Sequence, residues 1–337
     1  MKCKKIVLGY VPVMRDTFPV APARQMRDRI RARVDEILQG NEHIELADAA
    51  PLLPDGMLWD NADVEKVAAF LEEKHADALF LPHCNFGQEE AAAKLAARLG
   101  RPVLLWGPRD PAPEGLNFRP LDIQCGLFAT SKALVRYGVP FTYLENCNLD
   151  SEILAEGLDR FARTVAVVKA MRGMRVGQIG LRPRQFLSVK VNESELLEKL
   201  GIEVTPIWTE EITTVVAKLR SGNADKIGRV QKIELPMATK RLGTLEDRGP
   251  DPSIRQRMED IRSKVDCTNV KDDTLEKIAV VELAIERIAQ LHELDAIALD
   301  CWAYLSSEFG IGACFVIGDL IDRGLVVACE TDIHAAI

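Results

Sequence analysis

Short apolar runs of four to six residues alternate with longer segments of helical periodicity along almost the whole chain. Ile6 to Tyr10, Ala78 to Pro82, Val103 to Trp106 and Asp295 to Leu299 have the length and near-continuous hydrophobicity of strands buried on both faces, Ile202 to Ile207 reads as a strand too, and His43 to Ala47 is a further candidate. The spacing predicts helices over an arginine-rich segment reaching Leu38, over Ala62 to His75, and over Glu89 to Leu99, where Gly100 supplies the stop. A strand buried on both faces needs a helical layer on each side, and strand–helix–strand order returns the chain to the same edge of the sheet. The pattern therefore specifies an α/β fold with a mostly parallel, doubly wound sheet.

At 337 residues the chain exceeds what one ordinary core organises, so two domains are expected. A long helix from Ser151 to Met171 leads to Arg172-Gly173, which divides a first α/β domain (1–171) from a second (172–337), each a Rossmann-like three-layer unit. In the first, a proline-rich turn from Pro108 to Pro113 follows the strand Val103 to Trp106. The second opens with the strand Arg175 to Gly180 and runs through helices at Asn192 to Leu200 and Glu210 to Arg220. A polar loop follows at Gly243 to Pro252, then helices near Ser253 to Val265 and Asp273 to Leu294, and a final helix–strand pair. The last strand, Leu325 to Cys329, delivers Glu330-Thr-Asp332 to the carboxyl end of the sheet, where ligands of open α/β folds bind.

Hydrophobic residues make up 47% of the chain and charged residues 28%, and no run approaches the roughly eighteen apolar residues of a membrane span. The basic start, Met1-Lys-Cys-Lys-Lys, precedes only about five apolar residues, which suits a first strand better than a signal peptide. Eight cysteines stand singly, without a C-x-x-C pair, so neither structural zinc nor a disulfide framework is indicated and the expected compartment is the cytoplasm. A net charge of −8 disfavours nucleic acid or an acidic membrane as partner. Arg24, Arg27, Arg29, Arg31 and Arg33 are a local exception. Met26, Ile30, Val34, Ile37 and Leu38 recur among them at helical spacing, so they read as the solvated or subunit-facing side of an amphipathic helix in preference to a phosphate site.

Gly310-Ile-Gly312 with Glu330 about twenty residues on echoes a dinucleotide fingerprint, but the third glycine is Phe315, and helical Tyr304 to Phe309 stands where a strand is required. Gly310 is better read as a helix stop. Phosphate-loop, zincin and serine-hydrolase signatures do not occur. His83, in Pro82-His-Cys-Asn-Phe-Gly-Gln88, follows a strand directly. Either Asn85 and Gly87 shape a turn there, or the segment offers a polar contact to a small ligand.

Ala296-Ile-Ala-Leu-Asp-Cys-Trp302, Gly318-Asp-Leu-Ile-Asp-Arg-Gly324 and Ala328-Cys-Glu-Thr-Asp-Ile-His334 resemble the second domain of the L-fucose isomerase and L-arabinose isomerase superfamily, the fucose branch more closely. The resemblance is specific in the last forty residues and diffuse before them. It implies two α/β domains followed by a β-rich C-terminal domain that this chain does not show. It also implies an aldose–ketose isomerase acting on a free sugar through an enediol with Mn²⁺ or another divalent cation. By position Glu330 is then both metal ligand and proton-transfer group. The family's second carboxylate and metal-binding histidine fall in a part that would follow Ile337, so the sequence is expected to be a fragment of a longer enzyme. A homo-oligomer, a trimer or hexamer, is implied because the family's first domain completes a neighbour's pocket.

Moving a proton between adjacent sugar carbons needs an acid–base group and an electrophile for the developing oxyanion, and hard oxygen ligands suit Mn²⁺ or Mg²⁺. Thr331 or Asp332 can equally cap a helix beginning at Ile333, with Glu330 merely favouring its positive end. His334 matches no family ligand. In the loop Gly180-Leu-Arg-Pro-Arg-Gln-Phe186 the resemblance turns Arg184 and Phe186 toward the sugar. A plain exposed basic loop is the alternative, and two arginines would also suit an anionic sugar. Arg15 sits where the family has an arginine that reaches a neighbouring subunit's site. The rival reading is a non-catalytic sugar-binding or regulatory protein with a two-lobed α/β cleft.

Overall fold

The structure is a computed structural model that describes residues 5–112, 119–228 and 248–337. The chain divides into two compact units, 2–170 and 171–337 (with Met1 grouped to the latter). Pro113 of the proline turn and the loop expected at Gly243 to Pro252, as far as residue 247, lie outside the described residues.

The first unit runs β1 (Ile6–Tyr10), α1 (Val20–Leu38), β2 (Ile44–Asp48), α2 (Val64–Glu73), β3 (Ala78–Pro82), α3 (Glu89–Leu99), β4 (Val103–Trp106), α4 (Ile123–Arg136), β5 (Phe141–Tyr143) and α5 (Glu152–Met171). Its sheet has the order β2-β1-β3-β4-β5, with every pairing parallel. All residues of β3 and β4 are buried, as their uninterrupted apolar sequences require, and each fully buried Leu or Phe contributes about 2 kcal/mol of transfer free energy. Helix α1 buries Ala23, Met26, Ile30 and Val34 along one stripe. Its basic face is used within the unit. Arg24 pairs with Asp55 and Arg31 with Asp48, while Arg33 bonds Glu36 at 2.8 Å and the Leu149 carbonyl at 3.1 Å.

Helix α4 and strand β5 have no counterpart in the sequence reading. The helix is entered through a left-handed Asp122 and held by Asp110, whose carboxylate accepts from the Ile123 and Gln124 amides. Exposed Phe128 and Val135 blur its periodicity, and β5 is a three-residue edge strand, too short to signal itself.

The second unit runs β6 (Arg175–Ile179), the one-turn α6 (Glu193–Glu195), β7 (Glu203–Ile207), α7 (Glu210–Arg220), α8 (Pro252–Lys264), α9 (Asp272–His292), β8 (Ala296–Leu299), α10 (Ser306–Phe309), α11 (Ala313–Asp322), β9 (Val326–Ala328) and α12 (Ile333–Ala336). Its parallel sheet has the order β7-β6-β8-β9, the same beginning as the first. Pro206 is tolerated because β7 is an edge. The helix expected at Asn192 to Leu200 is one α-turn, capped by the Asn192 side chain, that widens into a π-turn over Leu196–Leu200. Gly310, left-handed at φ 66°, ends α10 as a helix stop. No single helix among the described residues is long and apolar enough to cross a membrane.

Candidate functional site

In both sheets the strand order reverses beside the first strand, which is where open α/β folds place a crevice, at the carboxyl ends of the strands. In the first unit this edge is stitched shut. Asn85 Oδ1 accepts from the amides of Arg15 (2.8 Å) and Gly87 (3.0 Å), and its Nδ2 donates to the Arg15 carbonyl at 3.1 Å. Gly87 is left-handed, and a Cβ there would lie 2.3 Å from the His83 ring. The His83 side chain is wholly buried, and burial pushes its pKa down to about 4, so the ring is neutral at physiological pH. In that state Nδ1 carries the proton and donates to the Phe86 carbonyl at 3.0 Å. The Arg15 guanidinium lies 4.4 Å from the Phe86 ring centroid, donates from Nε to the Gly87 carbonyl at 3.0 Å and stands 3.3 Å from Glu89.

The edge of the second unit is open. A cavity of about 440 Å³ lies between the loop after β6, through Arg182, Pro183 and Gln185, and the turn after β8, through Asp300 and Trp302. That size suits a small ligand. Gly180 makes the close approach possible. At φ 84° it is left-handed, and a Cβ would fall 2.6 Å from Asp300 Cβ. Arg182 folds back on its own loop, donating to the carbonyls of Pro183 (3.1 Å) and Phe186 (2.9 Å). Arg184 is exposed, with no side-chain partner among the described residues. The Phe186 ring lies 6.0 Å from that of Trp302 at 33°, and Trp302 is 66% exposed. Trp302, quoted above only as part of a motif, is thus brought to the site. Its place directly after a buried strand was the available signal.

Glu330 follows β9 on the strand adjacent to β8. Its backbone is left-handed at φ 58°, and so is that of the next residue, Thr331, at φ 53°. Two consecutive non-glycine residues there, one β-branched, cost on the order of 1–3 kcal/mol each, and such strain concentrates at functional positions. Glu330 Oε1 accepts from Cys301 Sγ at 3.3 Å. Oε2 is buried without a hydrogen-bond partner, as is Oδ1 of Asp300. Asp332 Oδ1 accepts from the Ala335 amide at 3.1 Å and so caps α12. His334 is exposed on that helix. The structure therefore sets Phe186 beside Trp302 and Glu330 beside the turn that carries Asp300. Arg15 lies in the other unit, bonded to its neighbours there.

The two unpartnered carboxylate oxygens are the donor type a hard divalent cation takes. Among the described residues no group of three or more His, Cys, Asp or Glu could hold a metal by itself.

Fold and edge together define a doubly wound α/β protein with a carboxylate-bearing, aromatic-lined crevice. Residues 9–172 match the family model of the fucose/sulfoquinovose isomerase N-terminal domain. With the relatives below, this match supports an L-fucose isomerase-like family for the chain. It is 26% identical over 331 residues to a sulfoquinovose isomerase of Priestia aryabhattai, covering 97% of this chain and 64% of that protein. A sulfoquinovose isomerase of Alkalicoccus urumqiensis is 25% identical over 330 residues, with 97% and 64% covered. One from Clostridium sp. is 22% identical over 277 residues, with 81% and 55% covered. The chain thus spans less than two thirds of the length of these relatives.

Proposed function

We propose that this chain carries part of the active site of an aldose–ketose isomerase whose substrate is an anionic hexose of the sulfonated kind that names its relatives. The observation that carries the reading is Glu330. It is a carboxylate in a strained turn at the end of a parallel strand, with one oxygen oriented by a neighbour and the other buried and unpartnered.

In this reading Glu330 takes the proton from C2 of the aldose and returns it at C1, and the reverse in the other direction. Phe186 and Trp302 cover the apolar C–H face of the sugar. Arg184, whose guanidinium is uncommitted, pairs with the anionic substituent, while Arg182 holds the loop in shape. Glu330, with Asp300 beside it, would supply oxygen ligands to Mn²⁺ or another divalent cation. Bound there, such a cation would supply polarisation of the sugar oxygens and stabilisation of developing oxyanion charge. Assembly as a homo-oligomer, with Arg15 reaching a neighbouring subunit's site, and a cytoplasmic location complete the proposal.

The test is thermal melting with and without Mn²⁺, together with exchange of the C2 proton of a sulfonated hexose in D₂O, followed by NMR on wild-type and Glu330→Gln protein. The proposal expects Mn²⁺ to raise Tm in the wild type alone and exchange to require both. Stabilisation by the sugar without any metal requirement and without exchange would instead support a binding protein.

A further inference from the structure

We infer that Cys301 is a positioning residue for the Glu330 carboxylate, an inference that rests on the metal-site reading above. Cys301 opens the π-turn Cys301–Leu305 directly after β8, and Glu330 follows β9. The two strands pair in parallel with Ala298 opposite Ala328, which brings these residues, 29 apart in sequence, to the same end of the sheet. Cys301 is buried. Its only useful polar act there is to donate its thiol proton, and the acceptor is Glu330 Oε1 at 3.3 Å.

A glutamate side chain has three rotatable torsions, and a carboxylate held through one oxygen presents the other in a fixed direction. The oxygen left over is Oε2, buried and without a partner. The choice of donor matters. A lysine or arginine in this place would neutralise the carboxylate and compete with any cation brought to it, as Arg24 and Arg31 neutralise Asp55 and Asp48 in the first unit. A thiol is a weak, uncharged donor. It orients the carboxylate and leaves the full negative charge available to Oε2. The same contact explains why an aliphatic residue of similar size would fill the space and not replace Cys301.

The test is Mn²⁺ affinity, read from loss of the free-ion electron paramagnetic resonance signal, in wild-type protein and in Glu330→Gln, Cys301→Val and Cys301→Ser, with metal-free Tm measured alongside. Cys301→Val, apolar and without a donor, is expected to weaken binding about 10- to 100-fold. Cys301→Ser restores an O–H donor and should stay within about threefold of wild type. The Cys301 proposal is overturned, and the metal site kept, if Glu330→Gln abolishes binding while Cys301→Val binds like wild type. It is equally overturned if Ser is no better than Val at equal metal-free Tm. If Glu330→Gln leaves the affinity unchanged, the metal-site reading itself falls. A Cys301→Val protein that does not fold leaves the Ser variant to decide, since a serine as weak as Glu330→Gln contradicts rescue by a hydroxyl donor.

Discussion

The two units begin with the same strand order and carry loops at the same edge, yet the edges are built on opposite principles. In the first, one asparagine satisfies three backbone groups, the histidine is neutral and enclosed with only its Nε2 left unpartnered, and the arginine lies on a phenylalanine and beside a glutamate. In the second, a glutamate and an aspartate each keep a buried oxygen without a partner, an arginine stands uncommitted, and a tryptophan faces water. Topology alone therefore does not locate a working crevice. What sets the second edge apart is an open cavity beside carboxylates that keep an unpartnered oxygen.

The sharpest attempt to break this contrast is Glu330→Gln. Proton exchange at C2 should fall by about 10²- to 10⁴-fold while the urea midpoint stays put. A parallel loss of stability would mean that Glu330 holds the fold together as Asn85 does. The converse experiment is Asn85→Ala, which strands the amide of Gly87 and both backbone groups of Arg15. It should cost about 3 kcal/mol in urea unfolding of the first unit, and a cost below about 1 kcal/mol would show that this edge is not structural.

The units should also respond to pH in opposite directions. Burial lowers His83 from 6.5 to about 4, so the folded first unit binds fewer protons than the unfolded chain between those values. The stability it contributes is present above pH 6.5 and is lost as pH falls toward 4. In the second unit, burial raises Glu282 of α9 from 4.5 to about 7, against the opposing pull of Arg257, which donates to it at 3.1 Å. Its contribution is present below pH 4.5 and is lost as pH rises toward 7. Each effect is on the order of 3 kcal/mol, and His83→Gln and Glu282→Gln should each flatten the corresponding slope in unfolding curves followed against pH. The smallest effect expected is from Glu330→Gly. Relieving a left-handed backbone should stabilise the second unit by about 1 kcal/mol even as exchange is lost, and a destabilised variant would remove strain from the argument.

The sequence made the sheets legible where strands are apolar on both faces, as in β3, β4 and β8, because burial on both sides leaves no polar positions to confuse the pattern. It hid α4 and β5, where exposed Phe128 and Val135 and a three-residue strand gave no period. At the crevice, Glu330 was legible from its place after a strand. Which of Arg182 and Arg184 is free was not, since that depends on how one loop folds back on itself. Nor was Cys301, whose contact is set by parallel register across 29 residues. The left-handed turn at Glu330-Thr331 announces itself by no glycine, asparagine or proline.

The tryptophans give the contrast between the units an optical form. Trp106 is completely enclosed in the first core, whereas Trp208 and Trp302, on the loops after β7 and β8, are 69% and 66% exposed. Emission from this chain thus spans a blue, quencher-resistant component from Trp106, a part-buried contribution from Trp59, and a red component accessible to acrylamide. A sugar that settles against Trp302 removes part of the red component and leaves the blue one alone, so the occupancy of the crevice is written into the protein's own fluorescence without any added label.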